Sequence, residues 1–293
     1  MKLPLVVASL EEEIGLNGGP RDLQRAIEAV LVSKHGLPPI QSAEHADRLK
    51  DRIASFISER EATTLDAGGS PVLRVIGSVS TLVAGFCYPL PGEDPELNLM
   101  RARRAHVSAI FDRMRALSFA EFEKFGARFL RELGARIGRV TPQSNDQGID
   151  FYGEFSLRQV HAAPEPFLVL AKEVRLLFAG QAKHYPNRSI GPSEIRELIG
   201  ALTLARTKTH SSDGVDIFKD LSIRPFTPVM ALIFTTGELT SGAVRLSEAA
   251  GIIAKTGLQL AVFLADRGVG LVGGEGNQNF DEHAFLDWLH ADA

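Results

Sequence analysis

Apolar positions recur with helical spacing through the first part of the chain. After Gly19-Pro20, which suits a first turn, Leu23, Ile27, Val30 and Leu31 make one stripe that ends at Gly36. A second stripe, Leu49, Ile53, Phe56 and Ile57, predicts a helix from Ser42 to about Arg60, and the two stripes should bury against a shared core. Val72–Tyr88 is apolar and suits a helix or a strand equally well. Pro89-Leu90-Pro91-Gly92-Glu93-Asp94-Pro95 is the clearest breaker, and a boundary is expected there. The pattern therefore divides the chain into a helical amino-terminal domain over 1–95, a connecting basic helix over 96–117 and a second domain over 118–293.

In the second domain helical and strand periods alternate. Ser118-Phe119-Ala120-Glu121 has the form of a capping box, opening a helix that runs to Leu133 and stops at Gly134. Ile149–Phe155 alternates as a strand, and Leu176–Tyr185 predicts a second one. A helix follows from Pro192 to about Ala205. Thr227–Thr235 is almost continuously apolar, as a strand covered on both faces would be. A helix over Thr240–Lys255, a strand over Leu258–Leu264 and a short helix over Asp281–His290 complete the series. This succession predicts an α/β fold, a mixed sheet sandwiched by helices.

Composition narrows the setting. The 293 residues include 32 Lys and Arg against 36 Asp and Glu, and a single cysteine, Cys87. One cysteine excludes an intramolecular disulfide framework and any multi-cysteine metal site, and it sits in an apolar run that favours burial over reactivity. The apolar start at Met1–Leu5 meets Glu11-Glu12-Glu13 too early for a secretory or membrane segment, so a soluble cytoplasmic protein without a membrane partner is expected. A net charge of -4 argues against nucleic acid only as an average. Residues 99–139 carry ten Lys and Arg against four acids, whereas from Ser211 onward there are five basic and eleven acidic residues. The basic run reads either as a solvated helix face or as a phosphate-contacting surface.

Three stretches hold chemistry that could converge. At about 100° per residue, Phe122, Gly126, Phe129, Leu130 and Leu133 share the apolar face of their helix. Glu123 falls on its rim, whereas Glu121 points away and is accounted for by capping. Asp150 faces away from the Ile149, Phe151 and Phe155 side of its strand. Gln181 and Lys183, two apart, share a face of theirs. With the strands adjacent in a compatible register, Asp150, Gln181 and Lys183 meet, and Glu123 would approach from a helix packed on the same side. Such oxygens can hold a hard cation while an ammonium stabilises developing charge at a phosphate. A plain salt bridge between Asp150 and Lys183 accounts for the same residues equally well.

The succession Phe119-Ala120-Glu121-Phe122-Glu123, Ser144-Asn145-Asp146-Gln147-Gly148-Ile149-Asp150 and Gly180-Gln181-Ala182-Lys183-His184-Tyr185 resembles the catalytic domain of Mrr-type restriction endonucleases, within the PD-(D/E)xK nuclease superfamily. The likeness extends through Ile233-Phe234-Thr235-Thr236-Gly237 to about residue 265. The resemblance implies a restriction-endonuclease-like fold and a Mg²⁺-dependent DNA endonuclease, with Mn²⁺ as a substitute, acting in restriction or defence. It implies Asp150 and Gln181 at the metal, Lys183 as the catalytic lysine and Glu123 as the helix-borne acid. Arg128, Arg188 and Arg196 are then candidate DNA contacts. DNA is the expected partner, and cutting both strands predicts a homodimer or higher oligomer. Repair or junction processing, and a non-catalytic DNA-binding module on a nuclease fold, are the competing readings.

Other motifs carry less. Gly268-Val269-Gly270-Leu271-Val272-Gly273 spells a dinucleotide fingerprint, but Gly274-Glu275-Gly276-Asn277 follows where a helix is needed. Gly251–Thr256 has Ala254 where a phosphate loop needs glycine, so no nucleotide cofactor is expected. Asp213, Asp216 and Asp220 lack the glycine and terminal glutamate of a calcium loop. Asp146 is read as turn chemistry. The thirty-residue separation of Asp150 from Gln181 predicts an additional hairpin or loop within 156–175.

Overall fold

The computed structural model describes residues 2–77, 81–141, 148–156, 175–207, 227–274 and 276–291. The chain forms two compact units, one of residues 1–110 with 261–281, the other of 111–260 with 282–293. Asp146, the three aspartates at 213–220 and most of the segment 156–175 lie outside the described residues.

In the first unit, helices Leu3–Ile14 (α1), Leu23–Ser33 (α2) and Pro39–Asp66 (α3) bury their stripes in one core. Leu23, Ile27, Val30, Leu31, Ile53 and Ile57 meet there as the periodicity predicts, with Leu49 and Phe56 packed against them. Helix α1 is an addition. Its Val6, Val7, Leu10 and Ile14 recur at helical spacing, and Pro4 occupies a first turn. Arg21–Asp22 (β1), Leu73–Ile76 (β2) and Leu82–Gly85 (β3) form an antiparallel sheet in the order β1-β3-β2, so the ambiguous apolar run contains strands. Cys87 is buried in this unit, and burial pushes its thiol up to about 12.

The breaker at Pro89–Pro95 is a turn inside this unit and not its limit. Buried Arg74 donates to Glu93 at 2.6 Å and to the Tyr88 carbonyl at 2.5 Å. Arg101, on Pro95–Arg104 (α4), also pairs with Glu93 and lies 5.1 Å from the Phe86 ring. Arg104 forms a two-pronged ion pair with Asp266, 2.8 Å at each contact, which draws 261–281 into the same unit. The helix expected over 96–117 is two, α4 and Val107–Arg115 (α5). The division between the compact units falls at 110, within α5.

The second unit is the α/β body. The capping box is present at Ser118 and Glu121, opening Phe119–Glu132 (α6), and its hydrogen bonds from Ser118 hold the Glu121 carboxyl low. Strands Ile137–Val140 (β4), Phe151–Ser156 (β5), Arg175–Lys183 (β6), Val229–Thr235 (β7) and Ile253–Lys255 (β8) form a mixed sheet in that order. The β4, β5 and β6 pairings are antiparallel, and β6-β7 and β7-β8 are parallel. Helix α6 covers one face. Pro192–Arg206 (α7) covers the other, where Ile195, Leu198, Ile233 and Ala243 pack together.

Two carboxy-terminal elements differ from the pattern. The helix expected over Thr240–Lys255 is Ser241–Ala250 (α8), because Gly251 turns left-handed at φ +68° and releases β8 to pair with β7. The strand expected at Leu258–Leu264 is helix Gly257–Arg267 (α9). Thr256 and Gln259 cap it reciprocally, with Thr256 N–H donating at 2.9 Å and Gln259 N–H at 3.4 Å. A run that is apolar on every side suits a buried helix as well as a strand, and the cap decides. Glu282–His290 (α10) closes the chain's order of helices, and Trp288 upon it donates to Glu132 at 3.2 Å. The Gly268–Gly273 motif makes turns around Leu271–Val272, which pairs with Asn279–Phe280. Among the described residues, no helix is long and apolar enough to cross a membrane.

Phe151 fixes the α6 layer on the sheet. Its ring lies between Gly126 of α6 and Gly180 of β6, where a Cβ on either glycine would overlap it. At the far end of β6, His184 is wedged against the rings of Phe119 and Phe122, centroids 5.4 and 5.5 Å away, with Nδ1 3.2 Å from the Thr236 hydroxyl. Burial lowers its pKa.

Two outcomes follow for stability. Gly180→Ala is expected to cost about 1–3 kcal/mol through overpacking, read as a lower urea midpoint at unchanged slope; an unchanged midpoint would show that the Phe151 ring has room to yield. Because the folded state disfavours protonated His184, its contribution is whole above the ordinary histidine pKa of about 6.5 and is lost as pH falls below it. Imidazole NMR should show His184 titrating below the exposed histidines, and His184→Gln should flatten the acid slope of stability. A ring titrating with the exposed ones would refute this.

Candidate active site

The site is built at the end of the β5-β6 pair. The register opposes Phe151 to Gly180, and the Asp150 backbone N–H donates to the Gly180 carbonyl at 2.9 Å, so Asp150 lies across from Gln181. The Asp150 carboxylate accepts from the Ala182 backbone N–H at 2.7 Å, taking the place of a ladder carbonyl where the strand begins. Asp150 is buried. Ile149 packs with Tyr152, Leu177 and Ala179, on the face opposite Phe151. The strict alternation expected from Ile149 onward therefore begins only at Phe151, beyond the left-handed Gly148 at φ +79°.

Alternation along β6 sends Gln181 and Lys183 toward α7 and Ala182 and His184 toward α6. Helix α7 brings in a residue absent from the expected set. Glu197 accepts from Gln181 Nε2 at 3.1 Å, and Lys183 Nζ lies 3.3 Å from each of its carboxylate oxygens. The ion pair of Lys183 is thus with Glu197 and not the Asp150 salt bridge that the sequence left open. Gln181 is 2% exposed, and its Oε1 has no hydrogen-bond partner among the described residues. Small residues make the room, since a Cβ on Gly148 would come within 3.3 Å of Ala201 and 3.8 Å of Gln181 Nε2.

A buried, partnerless amide oxygen is costly and calls for an electropositive ligand. With Asp150 across the strand pair, the donor set is two hard oxygens, which suits a divalent cation of the magnesium type. Among the described residues no group of three or more His, Cys, Asp or Glu gathers for a metal, so such a cation would complete its shell from solvent or substrate.

The other expected residues are placed differently. Glu123 is half-buried on α6, which packs on the Phe151 face, one layer across from Gln181 and Lys183 rather than on their side. The ring contacts of Phe119 and Phe122 with His184 nonetheless put its turn at the same end of β6. Arg128 stacks over Trp288 at 5.6 Å, so its guanidinium is engaged in packing and not displayed toward the site. Arg188 is exposed and pairs with Glu194, its guanidinium 4.5 Å from the Tyr185 ring. Arg196 is exposed one residue before Glu197.

Much of the basic run over 99–139 is engaged within the protein, although Lys124 and Arg139 are exposed. Arg101 and Arg104 are buried ion-pair partners, and Arg103 donates to the Asp266 carbonyl at 2.9 Å. Arg113 pairs with Glu282, Arg115 donates to the Pro186 carbonyl, and Arg136 pairs with buried Glu154. Hydrogen bonds from Arg175 and Arg136 hold that Glu154 carboxyl low.

The rim argument that selects Glu123 also selects Glu197, which lies four residues before buried Ala201 on α7. The periodicity carries that signal, but it does not show that Glu197 meets Gln181 and Lys183 of β6.

Comparison with known proteins bears on this segment. Residues 114–211 match the model of a family described as "Restriction endonuclease". The match spans about one third of the chain and includes the Phe119–Glu123, Gly148–Asp150 and Gly180–Tyr185 motifs, though not the late strand and helix. No curated protein matches the chain. Similar solved structures include the MspJI restriction endonuclease in complex with a 27-mer oligonucleotide, 18% identical over 70% of this chain and 37% of that one, with a TM-score of 0.39. The DNA modification-dependent restriction endonuclease AspBHI is 18% identical over 67% of this chain and 39% of its own, with a TM-score of 0.37. The chain therefore spans well under half the length of either. The matched residues, 114–211, contain Asp150, Gln181, Lys183 and Glu197.

Proposed function

We propose that the chain is a metal-dependent DNA endonuclease that hydrolyses phosphodiester bonds, acting in restriction or defence against foreign DNA. The observation that supports this most is the Gln181 Oε1, buried and unpartnered among the described residues, across the strand pair from buried Asp150 and on the same strand face as Lys183, inside the segment that matches the restriction endonuclease family. Asp150 and Gln181 would hold Mg²⁺, or Mn²⁺ in its place, which when bound supplies Lewis-acid polarisation of the scissile phosphate.

The rest belongs to the chain's own side chains. Lys183, at the end of β6, would hold a non-bridging phosphate oxygen and stabilise the charge that develops on it. Water attacks phosphorus and gives up a proton to solvent as the new phosphorus–oxygen bond forms, and the bond to the departing sugar oxygen breaks with a proton delivered to that oxygen from solvent. The Ala182 N–H keeps one Asp150 oxygen fixed, so the carboxylate cannot swing away from the strand end. Glu123 would act from α6 at the same end of β6, as the helix-borne acid. Exposed Arg188 and Arg196 would contact the DNA backbone and position it. Cleavage of both strands would use two copies of the chain, as a homodimer or higher oligomer, and the cytoplasm would be its place of action.

Purified protein with Mg²⁺ or Mn²⁺ is expected to nick or cut duplex DNA. Lys183→Ala should reduce cleavage by about 100-fold to 1000-fold, with a thermal unfolding profile like that of the parent. Binding that weakens with salt but is never followed by cleavage would favour a non-catalytic DNA-binding module, and undiminished cleavage by folded Lys183→Ala protein would rule out the assignment of this lysine.

A further inference from the structure

We infer that Glu197 is a positioning residue, which sets the Gln181 amide so that its oxygen, and not its nitrogen, is offered to a divalent cation. The inference rests on the metal-dependent nuclease reading and adds to it a residue on a separate helix.

A glutamine ligand has a difficulty that a carboxylate lacks. Its two ends are nearly equal in size and opposite in polarity, so rotation by half a turn replaces the metal-binding oxygen with an NH₂ group that repels a cation. Something must therefore discriminate between the two ends. An ionised carboxylate only accepts hydrogen bonds, so the amide end 3.1 Å from Glu197 must be the NH₂. The oxygen is thereby turned the other way, and that is the buried atom without a partner among the described residues.

The same carboxylate carries the Lys183 ammonium at 3.3 Å from both oxygens. One side chain on α7 thus sets the amide and the lysine of β6 together. Glu197 is itself about half exposed, so it serves as an acceptor without contributing to the core, and its removal leaves no cavity. The Ile195, Leu198 and Ala201 stripe anchors α7 on the sheet, which keeps this acceptor at a fixed distance from β6.

Residues that orient a metal ligand typically change metal affinity by about 10-fold to 100-fold when removed. The test is a double-mutant cycle on the full chain, with Mn²⁺ binding followed by the electron paramagnetic resonance of free Mn²⁺ and cleavage scored separately. Glu197→Ala is expected to weaken Mn²⁺ binding at least about 10-fold, with thermal unfolding unchanged. Gln181→Glu replaces the amide by a group whose two oxygens are equivalent, so nothing remains to orient. In that background Glu197→Ala should change Mn²⁺ affinity by less than about 2-fold or tighten it, since a like charge is removed. Equal weakening in both backgrounds would reduce Glu197 to a general electrostatic influence, and no weakening in either would leave it a surface ion-pair partner. Both results overturn the inference while the nuclease reading stands. Parent protein that neither binds Mn²⁺ nor cuts DNA overturns the nuclease reading and the inference with it.

Discussion

The register between β5 and β6 is the constraint on which the site depends. A slip of one residue would send Gln181 and Lys183 to the α6 face and take Asp150 out of reach of them. The pairing is fixed by sterics as well as by its hydrogen bonds. Phe151 has a ring that only glycines can accommodate above and beside it, so Gly126 and Gly180 admit it at one position along the strand. The flat ring then stacks on Phe234 of β7 at 5.1 Å, extending the constraint from the antiparallel to the parallel half of the sheet. An apolar contact on one face thus places the polar groups on the other.

The distribution of charge is a second consequence of packing. A surplus of cations over 99–139 suggests a surface for a polyanion, yet several of those arginines are engaged in ion pairs and ring contacts within the protein. Arg101 and Arg104 neutralise Glu93 and Asp266 within the first unit, where a guanidinium's fixed fork can satisfy a carboxylate and still cover a ring such as Phe86. The cations left near the proposed chemistry are few: Lys183, Arg188 and Arg196, two of them engaged with glutamates. A field this modest would not hold DNA by long-range attraction, and affinity would depend on short-range contacts, a bridging cation and a second copy of the chain.

Much of this was legible in the sequence, and the remainder was not for identifiable reasons. Helix α6 could be read to its first residue because its cap is local and complete in Ser118 and Glu121. Asp150, Gln181 and Lys183 were recognisable through motif order, and the α/β class through alternating periods. Pro89–Pro95 has the composition of a linker, while ion pairs to Glu93 from Arg74 and Arg101, 19 and 8 residues away, tie it into one compact unit. Helix α9 resembled a strand because its sequence is almost continuously apolar from Leu258 to Leu264, although Thr256 and Gln259 carried the signal of a helix start. Glu123 lies on the Phe151 face of the sheet, although the wheel suggested the side of Gln181 and Lys183. A wheel shows which side of a helix faces inward and says nothing about which face of a sheet that helix will cover.

The electrostatics of the proposed centre explain why an amide can stand where a second carboxylate might be expected. Two carboxylates facing each other across β5 and β6 would repel in a buried setting and would leave a doubly anionic pocket to receive an anionic phosphate. With Gln181 the buried charge is that of Asp150 alone, and the second acid, Glu197, is displaced to the half-exposed rim, where solvent screens it and Lys183 neutralises it. That arrangement lowers the repulsion within the site and toward a phosphate, but it gives up the symmetry by which a carboxylate presents an oxygen in either orientation. The displaced acid can restore what was given up only if it touches the amide, and the 3.1 Å bond from Gln181 Nε2 to Glu197 is that contact. Charge and orientation, which one glutamate would supply together, are here divided between a strand and the helix that covers it.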